Sequence, residues 1–278
     1  MAVFLGVDGG GTGCRAVVAD DFGRVLGLGS AGPANIASDP ETARKNILIA
    51  TSAALRAATI AETTVSELVA GLGLAGANAA GAGDWLRQGL PFASSRIETD
   101  AVTATLGALG DADGIVAAMG TGSVFTIRTG ATIQQFGGWG FVLGDEGSGA
   151  RIGQATLARC LRAADGFAEM TPLLSGLLHR FGGTGGVVRF ATQATPADFA
   201  SLAPEVLAAS DPAATAIWQD AVATVSNVIA GLQARADLPV TFIGGLGPSY
   251  AGALPALRQR AAIGTALDGA LRLAREAS

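Results

Sequence analysis

Two apolar runs in this chain each end in a glycine-rich turn carrying a hydroxyl residue, and each turn is followed by a second strand instead of a helix. The first run, Val3-Phe4-Leu5-Gly6-Val7, leads into Asp8-Gly9-Gly10-Gly11-Thr12 and then into the strand Arg15 to Ala19. The second, Ile115 to Met119, leads into Gly120-Thr121-Gly122-Ser123 and then into Val124 to Arg128. Glycines strip side chains from the backbone, so consecutive N–H groups in such a turn can approach an anion closely. Either turn alone reads as a tight hairpin; two of the same design at the ends of two buried strands read as a pair that grips one anion. Neither contains G-x-x-x-x-G-K-[ST], and neither opens a strand-turn-helix unit, so a P-loop and a dinucleotide fingerprint are both excluded.

Period and punctuation supply the elements around these turns. Val3 to Val7, Arg15 to Ala19 and Arg24 to Leu28 form an antiparallel meander. Ser38-Asp39-Pro40 provides a cap and a first-turn proline for a helix reaching about Ile60, with Ile47, Ala50, Ala54 and Ala58 on one face. A strand Leu68 to Leu74, a short helix near Asp84 to Leu90, a strand ending at Thr99 and a helix Ala101 to Leu109 complete the first half. The second half opens in the same pattern, with a hairpin at Thr129-Gly130. Helices are then expected over Arg151 to Ala164, Pro172 to Arg180, Pro196 to Ala209 and Pro212 to Ala236, before a last strand, Val240 to Ile243, that closes on Gly244-Gly245. No Pro- or Ser-rich linker separates the halves. The expected division is an N-terminal lobe over 1–110 and a C-terminal lobe over 111–278, sharing a cleft and a hinge.

Composition limits what the site can be. A hydrophobic content of 49% allows a substantial interior, while the longest apolar stretches, such as Leu68 to Gly83 and Gly114 to Ile127, are broken by glycine. None offers the roughly 20 residues of a membrane helix. The N-terminus has no basic region or cleavage site of a secretory signal, so cytoplasmic residence is expected. Cys14 and Cys160 lack C-x-x-C spacing, and a single histidine, His179, adds little to a ligand set. A net charge of −5 argues against nucleic-acid partners, which require a basic face. An anion bound here is therefore held by local donors and a cation. Thr12 supplies a hydroxyl for a phosphate, and Asp8 is placed to hold Mg²⁺ through water.

The turns at Asp8–Thr12, Gly120–Ser123 and Gly244-Gly245, in this order and at these separations, resemble the pattern of the superfamily of acetate kinase, sugar kinases, heat-shock proteins and actin. The likeness runs end to end. It implies an α/β fold, the two-lobed actin-like (ribonuclease H-like) ATPase fold, with mixed sheets flanked by helices and the active site in the interlobe cleft. The stretch Phe136-Gly137-Gly138-Trp139-Gly140-Phe141-Val142-Leu143-Gly144-Asp145-Glu146-Gly147-Ser148-Gly149 narrows it. It resembles the G-G-W-G-x-x-x-G-D-E-G-S signature of the N-acetylglucosamine kinase and glucosamine kinase branch, grouped with the BadF/BadG/BcrA/BcrD ATPases.

That resemblance implies an ATP- and Mg²⁺-dependent kinase acting on the 6-hydroxyl of an amino sugar, N-acetylglucosamine first and free glucosamine second, working as a homodimer. It implies that Gly10, Gly11 and Thr12 with Gly120, Thr121, Gly122 and Ser123 hold phosphates, that Gly244 and Gly245 face the adenosine, and that Ala200 lies beside the adenine unless it is a core alanine. Asn35 in Pro33-Ala34-Asn35, Gly76, Gly138, Trp139, Gly140, Asp145 and Glu146 fall to the sugar, with alternatives open at three places, the first being that Asn35 is a turn residue. Trp139 either covers the sugar or fills core, and Asp145-Glu146 also suit the positive end of the helix that follows. Thr99-Asp100-Ala101 matches the position of the catalytic aspartate. Asp100 caps a helix at a strand end, where a carboxylate can also take the proton of an acceptor hydroxyl. Two rivals share the scaffold. An ATP-driven activator of radical dehydratases would bridge an iron-sulfur cluster through cysteines, whose placement Cys14 and Cys160 do not match. A sugar-sensing repressor would need a DNA-binding module before the first strand, where only Met1 and Ala2 stand.

Overall fold

Hydrogen-bond register joins the first three strands as the alternation predicts. In the computed structural model, which describes residues 3–276, β1 (Val3–Gly9), β2 (Cys14–Asp20) and β3 (Val25–Ala31) run antiparallel in turn. Asp39 caps α1 (Pro40–Ala57) by accepting from Thr42 N, and Pro40 occupies its first turn. A 3₁₀ turn at Glu62–Glu67 delivers the chain to β4 (Val69–Leu74), which lies parallel to β1. Then come α2 (Ala82–Gly89), β5 (Ser94–Thr99), parallel to β4, and α3 (Asp100–Leu109). The sheet order is β3-β2-β1-β4-β5. Parallel β1, β4 and β5 thus bring Gly9, Leu74 and Thr99 to the same end of the sheet. One core of this unit fills with Leu5, Val7, Val18, Ile47, Leu55, Leu72 and Leu74.

The second sheet repeats the theme with β6 (Gly114–Met119), β7 (Ser123–Thr129), β8 (Thr132–Gly137) and β9 (Val240–Ile243) in the order β8-β7-β6-β9, with β9 parallel to β6. Between β8 and β9 lie α4 (Gly149–Ala164), α5 (Pro172–Phe181), α6 (Thr184–Gln193), α7 (Pro196–Ala200), α8 (Ala203–Ala208) and α9 (Pro212–Gln233). After β9 come α10 (Gly247–Ala253) and α11 (Ala266–Arg275). Ile115, Ala117, Met119, Phe125, Val225, Ile229 and Tyr250 form the core of this unit.

Three features depart from the sequence reading. The helix expected over 196–209 is two, α7 and α8, and Phe199 O in α7 approaches α4 so closely that a Cβ on Gly153 would lie 1.9 Å away. Residues 184–193 are helical despite Gly185 and Gly186. A helix that the sequence reading did not include, α11, is laid against the first sheet. Gly71 of β4 makes room for it, since a Cβ there would sit 2.0 Å from Ala270 O. Contacts accordingly group the described residues up to Gly114 with Arg128–Gln134 and those from Ala261 onward, and group Ile115–Ile127 with Gln135–Arg260. No helix among the described residues is long and apolar enough to cross a membrane.

Candidate nucleotide and acceptor site

In the first unit the turn after β1 is closed by Gly10 N donating to Gly13 O at 2.9 Å. Gly10 and Gly11 have no atom within 4 Å of where a Cβ would stand, and Gly11 and Thr12 are exposed. The end of β1 is laced to two further loops. Ala34 N donates to Gly10 O (2.9 Å), Ala75 N to Gly9 O (2.8 Å) and Ile36 N to Ala75 O (3.0 Å). Asn35 and Gly76 therefore come together, with a Cβ on Gly76 (φ +82°) only 2.8 Å from Asn35 Oδ1. That oxygen accepts from Ala37 N (3.0 Å) and Ser38 N (3.2 Å), so Asn35 spends its acceptor on its own loop and keeps Nδ2 as donor.

Asp8 and Asp100 meet at the same end of the sheet. Asp8, with a side chain 15% exposed, accepts from Arg15 at 2.5 Å, and Arg15 is its register partner on β2. Asp100 opens α3 behind the N-cap Thr99, whose hydroxyl accepts from Val102 N. Gly73 of β4 pairs with Asp8 on one side and Glu98 on the other, and a Cβ there would stand 1.8 Å from Thr103 Oγ1. A bare backbone at residue 73 thus lets the first turn of α3 settle beside β1. Burial, then the Asp8 charge, pushes the Asp100 carboxyl above the usual aspartate range, against the Ala101 N–H bond that lowers it. No group of three or more His, Cys, Asp or Glu among the described residues is arranged to hold a metal. A cation here would take Asp8 and complete its shell from water and phosphate, which is how Mg²⁺ binds nucleotides, so the residues present fit it.

In the second unit the carbonyls of the Gly120 turn point back into the protein. Gly149 N donates to Gly120 O (2.9 Å) and Ala150 N to Thr121 O (3.1 Å), which satisfies orphan donors of α4. Ser123 Oγ donates to Glu146 O at 2.8 Å. Asp145 is buried at φ 60°, and its Oδ2 lies 2.9 Å from where Gly122 would carry a Cβ. Burial raises its pKa first, against bonds from Ser123 N and Gly140 N and the Arg151 charge, which lower it. Ala200 Cβ and Gly120 O both stand 3.2 Å from a Cβ on Gly149, so Ala200 flanks the same turn. Gly244 (φ +84°) backs onto Met119 O, 2.4 Å from its absent Cβ, while Gly245 has open space. Gly120–Ser123, Ala200 and Gly244-Gly245 are therefore gathered at the end of β6, with Asp145 and Glu146 against them. Gly138, Trp139 and Gly140 form the loop beyond, and Trp139 is 73% exposed, so it fills no core.

A family model for the BadF/BadG/BcrA/BcrD ATPases matches residues 5–259. The chain belongs to the BadF/BadG/BcrA/BcrD ATPase family. It is 29% identical over 251 residues to a glucosamine kinase of Vibrio cholerae, covering 88% of this chain and 85% of that one. It also resembles the structure of a Chromobacterium violaceum protein provisionally named an N-acetylglucosamine kinase, with a TM-score of 0.92 and 33% identity over 99% of both chains. A Porphyromonas gingivalis protein given the same provisional name matches with a TM-score of 0.71 and 21% identity over 99% of both chains, which shows the fold. Two mixed sheets flanked by helices are the actin-like ATPase fold.

Within this BadF/BadG/BcrA/BcrD-family chain, residues that sequence reasoning left out of the site adjoin it. Arg15 faces Asp8 through strand register, a signal present in the alternation of β2. Thr103 and Gly73 are linked only by tertiary packing. Arg151, in the first turn of α4, donates Nε to Gly144 O at 2.9 Å within the glycine-rich signature.

Proposed function

We propose that the chain transfers the γ-phosphoryl group of ATP to the 6-hydroxyl of an amino sugar, N-acetylglucosamine first and glucosamine second. The observation that carries this reading is Asp100, a half-buried carboxyl with a raised pKa beside Asp8. Once ionised, such a group accepts a hydroxyl proton more readily than an ordinary aspartate. The sugar oxygen bonds to the γ-phosphorus as the bridge to the β-phosphate breaks, the proton passes to Asp100 and ADP leaves. Gly10, Gly11, Thr12 and the Gly120–Ser123 turn present backbone and hydroxyl donors to the phosphates, and Gly244-Gly245 with Ala200 take the adenosine. Asp8 would hold Mg²⁺, which supplies charge neutralisation to the phosphates when bound. Asn35, Gly76, Gly138, Trp139, Gly140, Asp145 and Glu146 take the sugar, since hydrogen-bonding groups reject an acceptor that leaves them unpaired. Names borne by the Vibrio cholerae and Chromobacterium violaceum relatives favour an amino sugar. The same reading takes the enzyme to be a homodimer, as the family resemblance implies, and to reside in the cytoplasm.

The dehydratase-activator alternative is disfavoured by its thiols. Cys14 and Cys160 are both buried, each inside a separate apolar core, so neither presents a thiol where a cluster bridging two subunits would be held. ADP release measured over a panel of N-acetylglucosamine, glucosamine, N-acetylmannosamine and glucose tests the proposal. Turnover is expected with N-acetylglucosamine and, more weakly, glucosamine; no turnover with either would contradict it.

A further inference from the structure

The segment Gly138 to Gly147 follows a path that its backbone does not choose by itself. Gly138, Gly140 and Gly147 lie at φ 68°, 81° and 69°, and Asp145, without the freedom of glycine, lies at 60°. Its apex stands in solvent, with Trp139, Val142 and Leu143 exposed by 73%, 84% and 81%. Leu143 N and Gly144 N both donate to Gly140 O, which curls the loop without fastening it to the rest of the unit.

Ser123 Oγ holds Glu146 O and the Tyr250 hydroxyl holds Gly147 O at the C-terminal end of the segment, and Arg151 adds the fastening nearer the apex, at Gly144. A cation in the first turn of a helix opposes the helix dipole, so the position needs another source of stability. Here Nε donates to Gly144 O at 2.9 Å, Nη1 donates to Gln154 Oε1 at 3.1 Å, and the guanidinium lies 5.6 Å from the centre of the Phe141 ring. Phe141 in turn packs on Phe199, centroids 5.1 Å apart, and Phe199 immediately precedes Ala200. The loop base is thus gripped from the same helix whose first N–H groups bind the Gly120 turn.

From this geometry we infer that Arg151 is a positioning residue that clamps the Gly138–Gly147 loop to the start of α4, and so sets where Gly138, Trp139 and Gly140 meet the acceptor. The inference rests on the reading of this loop as the acceptor side. Lysine cannot replace it, because the planar guanidinium both donates laterally through Nε and stacks on a ring.

The test compares full-length wild type with R151M, R151K and F141L, reading kinetics with N-acetylglucosamine and ATP alongside native-state amide hydrogen exchange. In R151M and R151K the sugar KM should rise about tenfold while the ATP KM stays within about twofold. Exchange across 139–144 should accelerate about tenfold, with 118–124 unchanged. F141L, which keeps the Nε bond and loses the ring, should fall between wild type and R151M, and it carries the test with R151K if R151M does not fold. Unchanged exchange across 139–144, or equal acceleration across 118–124 and α4, would overturn the clamp and leave Arg151 a general support of the helix. If wild type phosphorylates no amino sugar, the acceptor assignment fails, while the exchange comparison still decides the clamp.

Discussion

The Asp100 carboxyl stands within electrostatic reach of the Asp8 carboxylate, and burial together with that like charge holds it above the ordinary aspartate range. The fold therefore favours neutral Asp100. Stability from this group is present below the ordinary aspartate pKa and is lost as pH rises through the raised one. Whenever it is ionised, the carboxylate is a local burden on the fold, and the proposed role of Asp100 as base accounts for its being kept.

Asp100→Asn removes that burden together with the base. We expect kcat to fall about 10²- to 10⁴-fold, with sugar affinity retained and the melting temperature at pH 7 raised. Wild-type kcat/KM should rise with pH as Asp100 ionises, with its acid limb above the value for an ordinary aspartate. Steady-state kinetics, calorimetric sugar binding and thermal melts check these outcomes; near-normal kcat in the variant removes Asp100 as base.

Gly73→Ala places a methyl where Thr103 Oγ1 lies 1.8 Å away, and so displaces the turn that carries Asp100. Overpacking of this kind costs about 1–3 kcal/mol. The variant should lose kcat while the ATP KM changes little. Adding Thr103→Gly should recover part of the activity, since it removes both the Oγ1 and the Cβ that stands 2.7 Å from the new methyl. Failure of the double variant to recover would place the fault elsewhere.

The glycines of the turns proposed to meet phosphate and adenosine divide into two kinds. Gly120 and Gly245 have open space at the Cβ position, whereas Gly244 meets Met119 O at 2.4 Å with φ +84°. Gly120→Ala and Gly245→Ala should leave melting within about 1 °C, in line with exposed sites away from packing, yet raise the ATP KM. Gly244→Ala should destabilise the protein outright. Equal melting temperatures for all three variants would deny that a nucleotide, and not the fold, demands glycine at 120 and 245.

The loop bonds of Asn35 and its proposed contact with the sugar are separable. Asn35→Asp keeps the oxygen that accepts from Ala37 N and Ser38 N but loses the Nδ2 donor. It should melt near wild type with a raised sugar KM and an unchanged ATP KM. Asn35→Ala should show the same kinetic defect together with a lower melting temperature. A normal sugar KM in Asn35→Asp would assign the residue to its loop alone.

Much of this arrangement is written locally. Apolar strands that run into glycine turns mark both hairpins, and Pro40, Pro172, Pro196 and Pro212 mark helix starts where the structure has them. The position of Asp100 is legible because strand, carboxylate and helix are consecutive, while the role proposed for it comes from the family resemblance. What escapes local reading depends on packing between distant segments. α11 returns to the first sheet through contacts with Gly71 and, at Gly269, with the backbone of Thr103 and Gly107, and no periodicity announces that destination. Gly185 and Gly186 hide α6, because glycine weakens the helical signal that tertiary contacts override. Asp145 reads as a residue of its own signature, and only the folded chain sets its carboxylate on Gly122 and Ser123.

The central claim is phosphoryl transfer to an amino-sugar hydroxyl, and ³¹P NMR of the purified chain with ATP, Mg²⁺ and N-acetylglucosamine tests it most directly. The account predicts a phosphate monoester resonance coupled to the C6 protons, appearing in step with ADP and absent in Asp100→Asn. ADP accompanied by inorganic phosphate alone, or a spectrum unchanged from that of ATP, would contradict it.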